Sequence, residues 1–193
     1  MDITSTLFHN CRNLLIESFE ENPNYSFGDA SLMIDHSIHV QEIAMNIAEV
    51  VVCNKAVVFI GSIFHDIGKT KMIDGKPVPW EVLRERHESF NYEVISNFLT
   101  EFNVSDAVRS QLQELFNISA KSPESTIIKD SDIIEFYMNS RLQAALKNWA
   151  DKQNLPNELQ RKADKFDSVL SCDFSKELAL PYLSLMKKRW NLR

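Results

Sequence analysis

Apolar residues recur at three- and four-residue spacing along almost the whole chain, and no stretch keeps up an alternation between apolar and polar positions. This spacing places apolar side chains on one face of an α-helix. Glycine and proline, which most often interrupt helices, occur only four and six times. The pattern therefore predicts an all-α fold.

Capping residues and helix breakers divide the pattern into a series of predicted helices. These helices are expected over residues 4–20, 31–52, 54–68, 80–102, 105–117, 122–149, 157–170 and 175–190. The helix over 80–102 is either one helix or two with a bend near Arg86. We expect the third helix to begin at its cap, Asn54, and to end at Gly68, because glycine suits the left-handed conformation that follows many helices.

Two potential metal ligands, His65 and Asp66, interrupt the apolar segment VVFIGSIFHDIGK at residues 57–69. Burying an imidazole and a carboxylate together is costly unless each finds a partner, and a divalent cation satisfies both at once. His36 lies on the apolar face of the second helix with Val40 and Ile43, so it is expected to point inward. The segment thus predicts a metal site with ligands from more than one helix.

Charge and length narrow the range of functions. The chain of 193 residues suits one domain over 1–193. It has 21 Lys and Arg against 27 Asp and Glu, a net charge of −6. Such a chain lacks the overall electrostatic attraction for a stable complex with nucleic acid or for an anionic membrane, although it is compatible with a local basic pocket.

The cysteines and the N-terminus bear on the cellular location. Cys11, Cys53 and Cys172 are odd in number, widely spaced and set among apolar residues, which favours reduced thiols in a core. The chain begins without a basic-then-apolar pattern, and the longest apolar region, 50–64, is interrupted by Asn54 and Lys55. A cytoplasmic protein with no membrane segment is therefore predicted.

Three motifs, in order, resemble the HD superfamily of metal-dependent phosphohydrolases, which is named for its His-Asp dipeptide. They are HSIHV at 36–40, FHDIGK at 64–69 and IIKDSDII at 127–134. The resemblance covers about residues 31–139. It implies an HD-type helical bundle in that region. The helix over 4–20 and the helices over 157–190 lie outside the resemblance, and we expect them to pack on this bundle.

Carried over motif by motif, the resemblance implies that His36, His65, Asp66 and Asp132 bind one divalent ion. Asp130 competes with Asp132, but the family motif favours the second acid. A mixed set of nitrogen and oxygen ligands suits Mn²⁺, Co²⁺, Ni²⁺, Fe²⁺ or Mg²⁺. The expected reaction is hydrolysis of a small-molecule phosphoester, with a nucleotide as the favoured substrate, by water that the ion activates. Asp66 and Lys69 are the expected catalytic residues.

Several neighbouring residues have both a functional and a structural interpretation. Lys69 is expected to meet a substrate phosphate as a point charge, but a lysine there would also favour the carbonyl end of a helix. His87 resembles a further histidine of many HD proteins that contacts phosphate or a second metal, or it lies on a helix surface. Arg86 is expected to help Lys69 bind the phosphate. His39 is expected at the surface or behind the metal ligands.

Two other functions stay open. Some HD-fold proteins are di-iron oxygenases, but relatives with two metals usually carry another histidine where this chain has Phe116 and Asn117. The chain could also be a regulatory or binding module without catalysis. Apolar faces on the terminal helices are consistent with a homodimer.

Overall fold

The computed structural model describes residues 5–22, 29–117, 121–146 and 154–193. These residues form ten α-helices and one short 3-10 helix, which confirms the all-α prediction. The α-helices are α1 (Ser5–Glu21), α2 (Ala30–Ala48), α3 (Lys55–Ile63), α4 (Trp80–Glu101), α5 (Asp106–Leu115), α6 (Pro123–Met138), α7 (Ser140–Ala145), α8 (Leu155–Asp164), α9 (Phe166–Val169) and α10 (Asp173–Trp190). The 3-10 helix is Ile67–Thr70, and strands β1 (Met72–Ile73) and β2 (Lys76–Pro77) form an antiparallel hairpin after it.

The predicted helix caps are confirmed where the sequence signal was strongest. The Asn54 side chain accepts hydrogen bonds from the first backbone N–H groups of α3. Ser105 caps α5, and Ser122 forms a reciprocal capping box with Ser125 at the start of α6. Each side chain satisfies N–H groups that the helix itself leaves unpaired.

Other helix ends differ from the prediction. Helix α2 ends at Ala48 instead of residue 52. The predicted helix over 122–149 is interrupted at Asn139, whose side chain accepts hydrogen bonds from the N–H groups of Arg141 and Leu142 and so begins α7. The predicted helix over 157–170 is divided at Lys165 into α8 and α9. Residues 4 and 147–149 lie outside the described part of the chain. A polar side chain that competes for backbone groups explains the break at Asn139.

Helix α2 belongs to both of the large buried clusters. One cluster joins it to α1, α3, α4 and α5 through side chains that include Met33. The other joins it to α6 and the C-terminal helices through Ile43 and Ile47. Because α2 packs on α3 and on α6, residues on its inner face lie next to the end of α3 and the middle of α6. This packing positions the site described below.

In the part of the chain that the structure describes, no helix is both long and apolar enough to cross a bilayer. The three cysteines, Cys11, Cys53 and Cys172, are free thiols.

Candidate metal centre

His65 and Asp66 lie in the turn that joins α3 to the 3-10 helix, not in the last turn of a helix that reaches Gly68. The predicted left-handed conformation at Gly68 is also wrong, because the one described glycine with a positive φ is Gly75. Glycine is required at position 68 for a different reason. A Cβ atom there would lie 2.0 Å from the backbone oxygen of His87. Close approach of α4 to this turn therefore leaves no room for a side chain.

Asn91 fixes the same turn from α4. Its side chain is 1% exposed, its Oδ1 accepts a hydrogen bond from the N–H of Gly68 at 2.6 Å, and its Nδ2 donates to the carbonyl of His65 at 2.5 Å. The sequence analysis did not identify this residue. The available signal is its position four residues after His87, on the same face of α4.

The two histidine rings present one nitrogen each to a common point. The Nε2 atoms of His36 and His65 lie 3.1 Å apart. His65 Nδ1 lies 2.7 Å from the carbonyl oxygen of Ser62, and His36 Nδ1 lies 2.6 Å from Oε2 of Glu135. Since each Nδ1 faces an oxygen that can only accept, we assign the Nδ1 proton to both rings. This assignment leaves both Nε2 atoms as the candidate ligand atoms.

Two carboxylates complete the group. Asp132 Oδ1 lies 3.3 Å from His36 Nε2 and 3.9 Å from His65 Nε2. Asp66 Oδ2 lies 3.8 Å and 3.7 Å from the same two atoms. The structure thus brings all four predicted ligands together, and the group of His36, His65 and Asp132 could hold a metal ion.

The competing acid, Asp130, has a different environment. Its side chain is fully buried, and its carboxylate accepts hydrogen bonds from the backbone N–H groups of Ser171 and Cys172 at 3.0 to 3.3 Å. It therefore ties α6 to the segment between α9 and α10. The geometry favours Asp132 as the ligand.

The electrostatics of the site fit a cation at the point that these ligands share. Burial alone would lower the pKa of His36, but hydrogen bonds to Asp132 and Glu135 raise it to about 10. Burial, together with the neighbouring His36, lowers the pKa of His65. A positive charge on His36 therefore stands among the ligand atoms in the metal-free protein. The donor set of imidazole nitrogens and carboxylate oxygens suits a divalent first-row metal or Mg²⁺.

Glu135 is the second residue that the sequence analysis missed. It is 1% exposed; one oxygen meets His36, and the other accepts a hydrogen bond from Asn139 Nδ2 at 2.6 Å. A carboxylate behind a ligating histidine orients the ring and makes it a stronger ligand. Its position three residues after Asp132 on α6 is a signal that sequence alone offers. His39, 54% exposed, lies 3.7 Å from the same Glu135 carboxylate.

Lys69 and His87, predicted to bind phosphate, line a cavity of about 560 Å³ that also contains the four predicted ligands. Lys69 Nζ lies 2.5 Å from Asp66 Oδ2, and His87 Nε2 lies 3.2 Å from Asp66 Oδ1. Burial raises the pKa of Asp66, but the positive charge of Lys69 and the hydrogen bond with His87 hold it well below its ordinary value. Asp66 therefore stays ionised.

Arg86, also predicted to bind phosphate, is not brought to this cavity. Its guanidinium lies 5.7 Å from the centre of the Phe90 ring. Its helix position, one residue before His87, turns it to another face of α4.

Comparison with known proteins agrees with the motifs. The model of the HD domain family matches residues 33–137, more than half of the chain. Searches of curated proteins and of solved structures found no match. The family match begins within α2, ends in the last turn of α6 and includes every residue of the candidate metal site described above. The chain belongs to the HD domain family.

Proposed function

We propose that this protein is a metal-dependent phosphohydrolase that cleaves a phosphoester of a small molecule, with a nucleotide as the preferred substrate. One observation carries the proposal. The ligand group of His36, His65 and Asp132 lies beside Lys69 in the wall of a cavity of about 560 Å³. This volume is within the usual range for small-molecule sites, about 300–1,000 Å³.

His36, His65, Asp66 and Asp132 would hold one divalent ion, of which Mn²⁺, Co²⁺, Ni²⁺, Fe²⁺ and Mg²⁺ are the candidates. When bound, such an ion lowers the pKa of its water and neutralises charge that builds up on the phosphoryl group. Glu135 and the carbonyl of Ser62 hold the two imidazole rings in position through Nδ1.

Lys69 supplies a positive charge at the same end of the cavity. Its ammonium pairs with Asp66, a residue that remains ionised. A lysine in this position can meet a phosphoryl oxygen while keeping its contact with the carboxylate, because an ammonium has three donors. His87 contacts the other oxygen of Asp66 and is the next group within reach of a substrate phosphate.

The remainder of the cavity supports a nucleotide over a small phosphorylated sugar. Its wall includes aromatic side chains near the ligands on α6 and at the end of α5, namely Phe116, Phe136 and Tyr137. Together these rings make this part of the wall apolar, which suits packing against a base, although the face of the Phe136 ring itself is covered by the Lys162 ammonium. The net charge of −6 argues against a polynucleotide substrate.

The test is a screen of nucleotides and other phosphoesters with each of the five metals, run beside elemental analysis. We expect one divalent ion per chain and metal-dependent release of phosphate. Asp132→Asn should reduce turnover to background, whereas Asp173→Asn, the same chemical change at a side chain that is 98% exposed on α10, should not.

Other outcomes would overturn this proposal. Two irons per chain with an oxygen-dependent product would favour the di-iron oxygenase. Full metal loading without turnover of any phosphoester would favour a regulatory or binding module. A homodimer and a cytoplasmic location remain predictions from sequence.

A further inference from the structure

Three basic side chains from outside the HD family match line the same cavity as the metal site. They are Arg161 and Lys162 in α8 and Lys165 immediately after it. The sequence analysis assigned this helix to packing alone. The structure gives it a second role, because its charged residues form part of the cavity wall.

The sequence of α8 explains how these residues reach the cavity. Leu155, Leu159 and Ala163 recur every four residues and are buried in the second cluster. This apolar stripe packs α8 against α10 in the cluster that also includes α6, and the hydroxyl of Tyr137 on α6 donates a hydrogen bond to the carbonyl of Lys162 at 3.1 Å. The rotation of α8 about its axis is thereby set, so the basic residues face the cavity as a consequence of core packing.

Lys162 lies close to the metal-binding helix. Its Nζ is 4.4 Å from the centre of the Phe136 ring, and Phe136 is four residues after Asp132 on α6. Asp132 and Phe136, the residue whose ring the Lys162 ammonium contacts, are therefore about one helical turn, or about 5.4 Å, apart along the axis of α6. The basic residues are next to the metal site, at a distance that a second group of the same small molecule can span.

Lys162 and Lys165 differ from Arg161 in their charged neighbours. Arg161 pairs with Glu158 at 2.8 Å, but neither Lys162 nor Lys165 forms an ion pair with another described residue. The Lys162 side chain is half-buried, and this burial lowers the pKa of its ammonium. A partly desolvated cation without a carboxylate partner favours an anionic ligand, because the ligand offsets the lost hydration.

We propose that Lys162 and Lys165, with Arg161 beside them, form a subsite for a second anionic group of the substrate, a phosphate distinct from the phosphoryl group that reacts at the metal centre. This inference rests on the proposed phosphohydrolase function and narrows it. The substrate class becomes small molecules with at least two phosphoryl groups, such as nucleoside diphosphates, triphosphates or bisphosphates.

The first test measures binding without catalysis. Metal-free protein is titrated by calorimetry with inorganic phosphate, pyrophosphate and tripolyphosphate, all in EDTA. The variant Lys162→Met/Lys165→Met removes two charges and keeps a long apolar side chain over Phe136. The matched control is Lys176→Met/Lys188→Met, which removes two charges from α10 away from the cavity.

We expect tripolyphosphate to bind the wild type more tightly than phosphate does, and the cavity variant to weaken tripolyphosphate binding about tenfold, as loss of charge-assisted hydrogen bonds predicts. The control variant should stay within about twofold of the wild type. Equal binding by both variants, or no binding by the wild type, would overturn the subsite. Circular dichroism and thermal unfolding establish that each variant is folded.

The second test separates the subsite from the hydrolase activity. In the metal-loaded enzyme, kcat/KM is compared for a nucleoside monophosphate and the matching diphosphate and 3′,5′-bisphosphate. The cavity variant should lose about tenfold more kcat/KM for substrates with two phosphoryl groups than for the monophosphate. An equal loss for all three contradicts the subsite. Lysine-dependent tripolyphosphate binding without hydrolysis of any phosphoester supports the subsite and contradicts the hydrolase proposal instead.

Discussion

The Nε2 atoms of His36 and His65 lie 3.1 Å apart while the Nδ1 atom of each ring is held by an oxygen. If both rings were neutral, two nitrogen lone pairs would face each other at this distance. A proton on His36, whose pKa is raised to about 10, relieves that conflict in the metal-free protein. A divalent cation would relieve it as well and would also engage the carboxylates.

We therefore expect metal to stabilise the fold. At a free concentration about 100 times the dissociation constant, a ligand adds about 2.7 kcal/mol, which raises the Tm of a chain of this size by about 5–10 °C. The measurement is differential scanning calorimetry of EDTA-treated protein with and without Mn²⁺, Co²⁺, Ni²⁺, Fe²⁺ or Mg²⁺. Asp132→Asn should abolish the increase, and Asp173→Asn should keep it. An unchanged Tm with all five metals would contradict a metal site.

Glu135 should tune metal affinity without being a ligand. Glu135→Gln keeps an oxygen for His36 but removes the negative charge behind the ring. Loss of such a partner typically weakens metal binding about 10- to 100-fold. Calorimetric titration with Mn²⁺ measures the effect, and Glu42→Gln makes the same change at an exposed position on α2. If both variants bind the metal as the wild type does, Glu135 has no positioning role.

Asn91 should contribute to stability through the turn that carries His65. Asn91→Ala leaves the N–H of Gly68 and the carbonyl of His65 without this partner. Each buried group left unpaired costs about 1–3 kcal/mol. Urea unfolding measures the loss, and Asn97→Ala at an exposed position of α4 serves as the control. Equal stability of the two variants would show that the turn is held by other contacts.

Gly68→Ala should destabilise the protein more than Gly61→Ala does. At Gly68 the new Cβ meets a backbone oxygen at 2.0 Å, which moves only if α4 moves. At Gly61 it meets the terminal methyl of Ile128 at 2.8 Å, and a side-chain end can shift. Overpacking of the second kind costs about 1–3 kcal/mol, and we expect the first to exceed it. Chemical denaturation ranks the two variants, and the reverse order would contradict the close approach of α4.

Three motifs were sufficient to identify residues that come together in space. They lie on α2, on α6 and in the turn with His65 and Asp66 that joins α3 to the 3-10 helix, here called the HD turn. His36 was placed on an inward face by periodicity, and Asn54 and Ser122 gave the starts of two helices. These signals are local, since a cap or an apolar stripe depends on residues a few positions apart. For that reason a single sequence is enough to recognise them.

The residues that were missed depend on contacts between distant segments. Glu135 and Asn91 are polar residues on amphipathic helices, and only the packing of α6 on α2 and of α4 on the HD turn makes them buried partners. Gly68 was interpreted from local backbone preference, although its constraint comes from His87. The position of Arg161, Lys162 and Lys165 in the cavity wall likewise follows from tertiary packing, which spacing along the chain does not determine.

The hydrogen bonds from Ser171 and Cys172 to Asp130 reach beyond the region that identifies the family. A protein trimmed to residues 31–139 would lose both of these donors, and the apolar side chains of α6 that pack against α10 would face solvent. A lost hydrogen bond costs about 0.5–1.5 kcal/mol and each large apolar side chain that is no longer buried about 1.5–3 kcal/mol, so several such losses together remove a large part of the stability of an ordinary domain. The stretch by which the family is recognised is therefore shorter than the stretch that must be expressed to obtain a folded protein.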